Sequence, residues 1–105
     1  MKKKKKYIHD LIRQAVSNID PDAEIILFGS RARGNARPDS DWDVLILTGY
    51  PVNLSKERQF RDALYEIEIE TGEPISVFVF SRNDWNTKQA ITPFYHNVTR
   101  EGITL

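Results

Sequence analysis

Two stretches of this chain carry side chains suited to gripping a phosphorylated ligand. The first, Gly29-Ser30-Arg31-Ala32-Arg33-Gly34, directly follows a short apolar run. A glycine at its start permits a tight bend, so the following amides and the Ser30 hydroxyl can converge on one anion. Arg31 and Arg33 are the cations at hand, and the planar guanidinium of either suits paired phosphate oxygens. The spacing of Gly29 and Gly34 is that of a P-loop, but Asn35 and Ala36 stand where that motif needs Lys and then Ser or Thr, so that mechanism is excluded. The second stretch is Asp41-Trp42-Asp43. In a strand, alternation puts Asp41 and Asp43 on one face with Leu45 and Leu47, and Trp42, Val44 and Ile46 on the other. Aspartate is disfavoured in strands, and neighbouring carboxylates repel unless a cation lies between them; Mg²⁺, which takes a few carboxylates plus phosphate oxygens and water, satisfies both. The plainer alternative leaves Asp41 in a turn with Pro38, Asp39 and Ser40.

The elements that must position these residues follow from periodicity. Ile8, Leu11, Ile12, Ala15, Val16 and Ile19 recur at helical spacing and predict a helix over Tyr7–Ile19, ended by Asp20-Pro21-Asp22. Glu24–Phe28 reads as a buried strand and Asp41–Thr48 as a second, closed by Gly49-Tyr50-Pro51. A second long helix is expected from an N-cap at Ser55 to about Thr71, with Phe60, Ala63, Leu64 and Ile67 as its core stripe and Gly72 just past its end. Tyr65 and Ile69 fall on nearly the opposite face of that helix and suggest a surface for a partner or an oligomer. Ile75–Phe80 reads as a third strand, Asn83 or Asp84 as the cap of a short helix through Trp85, and Pro93 and Gly102 as the opening and close of a last helix. This order predicts a single α+β domain over residues 1–105, a small mixed or mostly antiparallel sheet with helices packed on one face and the other face open to a ligand.

A bend that grips phosphate beside acids that clamp a metal reads as a site for a nucleotide plus a metal. Gly29-Ser30, ten residues and then Asp41-x-Asp43 resembles the signature of the polymerase-beta-like nucleotidyltransferases, and GSRARG followed by SDWDVLIL is similar to the minimal nucleotidyltransferases, antitoxin-type proteins of bacteria and archaea. The likeness extends over nearly the whole chain, ending in a helix, a Glu-Gly and a last short strand. It implies transfer of a nucleoside monophosphate, AMP from ATP, to an acceptor hydroxyl with release of pyrophosphate. Gly29, Ser30, Arg31 and Arg33 would hold the nucleotide, and Asp41 and Asp43 would be catalytic and hold Mg²⁺ or Mn²⁺. It also implies a partner, since many relatives are encoded beside a helical HEPN-type toxin. One departure stands out: active members bring a third carboxylate from a later strand, and here the corresponding residue is Ser76, within Ile75-Ser76-Val77. Glu73 is the nearest acid that could substitute. The resemblance therefore allows two outcomes, an active transferase or a weakened nucleotide- or toxin-binding module acting by occlusion.

Composition narrows the remaining classes. Lys plus Arg and Asp plus Glu both number 15, a balance that argues against direct nucleic-acid binding, where many phosphate contacts call for a basic excess. The exception is the run Lys2–Lys6, expected to be a solvated end. No apolar run is long enough for a membrane span. Without a cysteine there is no disulfide, thiolate metal site or thiol nucleophile, which fits a reducing compartment and makes the cytoplasm the expected location. His9 and His96 lack metal-ligand spacing and are expected to pack or sit on the surface.

Overall fold

The apolar periodicities described above become the walls of one sheet. The computed structural model describes residues 2–105, with side chains from residue 7 onward; the side chains of Lys2–Lys6, and with them the expectation for that run, lie outside the described residues. In chain order the elements are α1 (Lys2–Ile19), β1 (Glu24–Phe28), α2 (Ser30–Arg33), β2 (Trp42–Thr48), α3 (Leu54–Thr71), β3 (Ile75–Ser81), α4 (Arg82–Asn86), α5 (Pro93–Glu101) and β4 (Ile103–Thr104). The four strands form one mixed sheet in the order β3-β2-β1-β4. β1 pairs antiparallel with both β2 and β4, whereas β2 and β3 run parallel, with α3 as the long crossover that a parallel pair requires.

Strand alternation divides the core in two. Ile25, Leu27, Trp42, Val44, Ile46, Val77 and Val79 meet Ile8, Ile12 and Val16 of α1 and Phe60, Leu64 and Ile67 of α3, a layer that contains most of the buried apolar side chains. This is the helix-covered face expected from the sequence. The opposite face is open only in part. Leu45 and Leu47 are buried there with Trp85 of α4 and Val98 of α5, and Ile26, Phe28, Phe80, Phe94 and Tyr95 pack around them. What remains accessible on that side is the end of the sheet where β1 stops and β2 and β3 start.

Helix starts differ from expectation by a residue or two, for local reasons. Asn53 rather than Ser55 caps α3, its side-chain oxygen accepting from the Lys56 amide at 2.8 Å. Ser81 rather than Asn83 or Asp84 caps α4, its Oγ accepting from the Asp84 amide at 3.0 Å, so the last residue of β3 is also the helix cap and no loop intervenes. Pro93 opens α5 and Gly102 follows it, as anticipated. Tyr65 and Ile69 are 58% and 67% exposed on α3. His9 stacks edge-on against Trp42, a packing role.

Candidate active site

The bend at the end of β1 depends on a glycine for two reasons. Gly29 has φ 75°, a left-handed conformation that side chains bearing a Cβ rarely adopt. A Cβ there would also run into the carboxylate of Asp43, which lies directly against the bend. The chain then enters α2, a single turn that the sequence reading treats only as a polar stretch; the Ala32 and Arg33 amides both donate to the Gly29 carbonyl at 3.0 Å. The amides of Ser30 and Arg31 open this turn, so they have no carbonyl of a preceding turn to pair with.

The acids stand next to this bend because of strand register. Phe28 is paired with Asp43 across β1 and β2, and Asp43 with Ser76 across β2 and β3. Residues paired in this way share a face, so Asp43 and Ser76 project together from the accessible end of the sheet. Asp41 sits just before β2 rather than inside it, and its Oδ2 accepts a hydrogen bond from Ser76 Oγ at 3.1 Å. The bend, both aspartates and the serine therefore meet at one place. Burial pushes the Asp43 carboxyl above the usual aspartate range; the negative charges of Asp41 and Glu101 push the same way, and Arg33 opposes them.

This donor set suits a hard cation that arrives with a ligand better than one caged by protein. Among the described residues no three His, Cys, Asp or Glu side chains converge as a metal site, so neither the buried Glu73 nor any other acid supplies a third carboxylate. Two carboxylates without a third match the habit of Mg²⁺, which keeps waters and completes its shell with substrate phosphate oxygens.

The two arginines of the motif go to different sides. Arg31 donates through Nε and Nη2 to the Ser40 carbonyl at 3.3 and 3.0 Å and through Nη2 to the Pro38 carbonyl at 3.2 Å. Its guanidinium carbon lies 4.5 Å from the centre of the Trp42 ring. Trp42 faces the α1/α3 layer, opposite to Asp43, so the Arg31 guanidinium is spent on pinning the loop before β2. Arg31, expected to hold the nucleotide, thus directs its guanidinium to these carbonyls and to Trp42 rather than to the acids. Arg33 instead faces the acids, its Nη1 donating to Glu101 Oε1 and Oε2 at 3.2 and 3.3 Å. Glu101 also accepts from the Gly29 amide at 3.3 Å. Sequence reasoning misses Glu101 as a site residue: it is 72 positions from Gly29, and its only local signal is its place at the end of α5, before Gly102.

The mixed sheet thus sets a glycine bend against Asp43 of β2, with Asp41 just before that strand. Residues 9–94 match the nucleotidyltransferase domain family, and the chain belongs to it. Among solved structures, one described as a minimal nucleotidyltransferase superposes with a TM-score of 0.65 at 24% identity, over 96% of this chain and 95% of that one. A toxin–antitoxin solved with AMP-PNP gives a TM-score of 0.67 at 17% identity, over 90% of this chain and 69% of that one. A mutant of the toxin–antitoxin MntA–HpeT gives 0.63 at 15% identity, over 92% and 70%. These likenesses establish a shared fold. No curated protein sequence matches the chain. No helix among the described residues is long and apolar enough to cross a membrane.

Proposed function

We propose that this nucleotidyltransferase domain moves AMP from ATP to an acceptor hydroxyl on a partner protein, a HEPN-type toxin, with Mg²⁺ or Mn²⁺ held by Asp41 and Asp43. The observation that carries this reading is the contact between the Gly29 bend and the Asp43 carboxylate, which sets a phosphate grip beside an acid pair. In the reaction the acceptor oxygen attacks the α-phosphorus, the bond from that phosphorus to the β-bridging oxygen breaks, pyrophosphate leaves, and the hydroxyl proton passes to solvent. The Ser30 hydroxyl and the amides beside it hold the outer phosphates, and Arg33 supplies the positive charge that the departing pyrophosphate needs. Bound divalent ions would neutralise the oxygens that gain charge in such a displacement. Asp43 is suited to the metal because burial and Asp41 both disfavour its charge until a cation arrives. A toxin–antitoxin of the same fold carrying AMP-PNP supports both the nucleotide and the partner. The exposed Tyr65 and Ile69 are assigned to contact with that partner or a second copy of this chain.

Calorimetric titration of ATP with Mg²⁺ tests this reading. Wild type is expected to bind in a metal-dependent way and Asp43→Asn to lose at least tenfold in affinity, on the scale of a charged hydrogen-bonding group removed from its partner. Equal binding by the two proteins would refute it. The second reading, a weakened binding module, is favoured by one observation: the residue in register with Asp43 is a serine that donates to Asp41 rather than an acid. Ser76→Asp is then the discriminating variant. A gain in AMP transfer, or in Mn²⁺ affinity, identifies position 76 as the missing ligand, and no change in either removes it from the site.

A further inference from the structure

The phosphate grip already holds an anion. Glu101 Oε1 accepts from the Gly29 amide at 3.3 Å and from Arg33 Nη1 at 3.2 Å, and so engages the first amide of the bend and the guanidinium assigned to the phosphates. The carboxylate comes from the end of α5, and its side chain is 19% exposed while that of Arg33 is 46% exposed. Its hold is loose by the standards of such pairs. Both oxygens lean on one guanidinium nitrogen, at 3.2 and 3.3 Å, rather than on two nitrogens in the side-on fork that makes arginine–carboxylate pairs strong. A partly exposed pair of this kind is worth little and exchanges readily. Nor does Glu101 join the aspartates as a metal ligand, since no three acids converge among the described residues.

We infer that Glu101 is a positioning residue that stands in for phosphate: it holds the Gly29 amide and Arg33 toward the site while the site is empty and yields both to an entering polyphosphate. The inference rests on the proposed function for what the polyphosphate belongs to. A group of this kind keeps Arg33 extended across the bend instead of folded onto another acid, and its negative charge competes with that of the ligand. Affinity for polyphosphate is therefore held below what the bare grip would give. Neutralising Glu101 while keeping its shape frees Arg33 and removes a like charge from beside the phosphates, so affinity rises. A purely structural role predicts the reverse, because loss of a tie between α5 and β1 slackens the bend.

The test uses inorganic tripolyphosphate without metal, titrated calorimetrically into wild type, Glu101→Gln, Arg33→Gln and the double variant. The expected result is tighter binding by Glu101→Gln, about two- to fivefold on the scale of one partly exposed ion pair, and a smaller gain when Arg33 is already Gln. Equal or weaker binding by Glu101→Gln overturns the inference, as do a gain that is undiminished without Arg33 and a failure of tripolyphosphate to bind any of the proteins. ATP with Mg²⁺ titrated into wild type in parallel separates this outcome from the nucleotide reading. If tripolyphosphate follows the expected pattern and ATP does not bind, the role of Glu101 stands and the nucleotide reading falls.

Discussion

Along β2 the two faces of one strand are built for different ends. Trp42, Val44 and Ile46 enter a layer closed by α1 and α3, each essentially inaccessible to water. On the other face, Leu45 and Leu47 are covered by α4 and α5, but Asp43 stands where that cover stops, against Gly29 and opposite Ser76. The closed face gains stability from apolar burial. The open end places a carboxylate where burial and a neighbouring acid make its charge unfavourable, a cost that the closed face must offset. The two arginines follow the same division: Arg31 stacks on Trp42 and ties down the loop, and Arg33 turns to the acids.

Three substitutions break or sharpen this contrast. The largest effect is expected from Ile46→Ala on the closed face, where a fully buried side chain leaves a cavity costing about 3 kcal/mol in urea-induced unfolding. A loss below about 1 kcal/mol would mean that this layer is not the one carrying stability. Next is Arg31→Ala. It removes the bonds to Ser40 and Pro38 and the contact with Trp42, so about 1–2 kcal/mol of stability goes while tripolyphosphate affinity stays within twofold. A large fall in affinity without loss of stability would return Arg31 to the phosphate site.

The smallest effect runs in the opposite direction. Asp43→Asn in the presence of a chelator should raise the melting temperature, by roughly 2 °C. The sign follows from the raised carboxyl. Asp43 binds its proton more tightly in the folded chain than in the unfolded one, so the folded state loses stability as pH rises from the usual aspartate range through the raised value. In Asp43→Asn that part of the pH dependence should vanish. A variant with an unchanged pH profile and a lower melting temperature would show that the carboxylate is structurally favourable after all.

Much of this was readable from residue order. Glu24–Phe28 has the bounds expected of a short β-branched run ended by glycine, and Pro93 and Gly102 mark the limits of α5 because the preferences involved are local. The stripe Phe60, Leu64 and Ile67 is buried as its period requires, with Ala63 packed partly against it. What local chemistry leaves open is choice among near equals. Asn53 and Ser55 are both good caps, and the amide oxygen of the former is the one within reach of Lys56. The covering of the second face by α4 and α5 depends on Trp85, Phe94 and Val98 meeting strand residues far away in the chain, which no periodicity reveals. The same holds at the site. The bend and the acid pair sit within one short segment and could be proposed from it, whereas the loss of Arg31 to the Trp42 ring and the arrival of Glu101 arise only from three-dimensional placement.

The strand β4 gives the order of assembly a consequence of its own. It pairs with β1 at Ile26 and Leu27, and Leu105 donates its amide to the Ile25 carbonyl, so the last residues of the chain brace the strand that leads into the Gly29 bend. On a translating ribosome the bend emerges long before these residues do. α1, α3 and the first three strands are all synthesised before the residues that brace the bend and supply Glu101. The support of the bend is thus made after the strand it steadies.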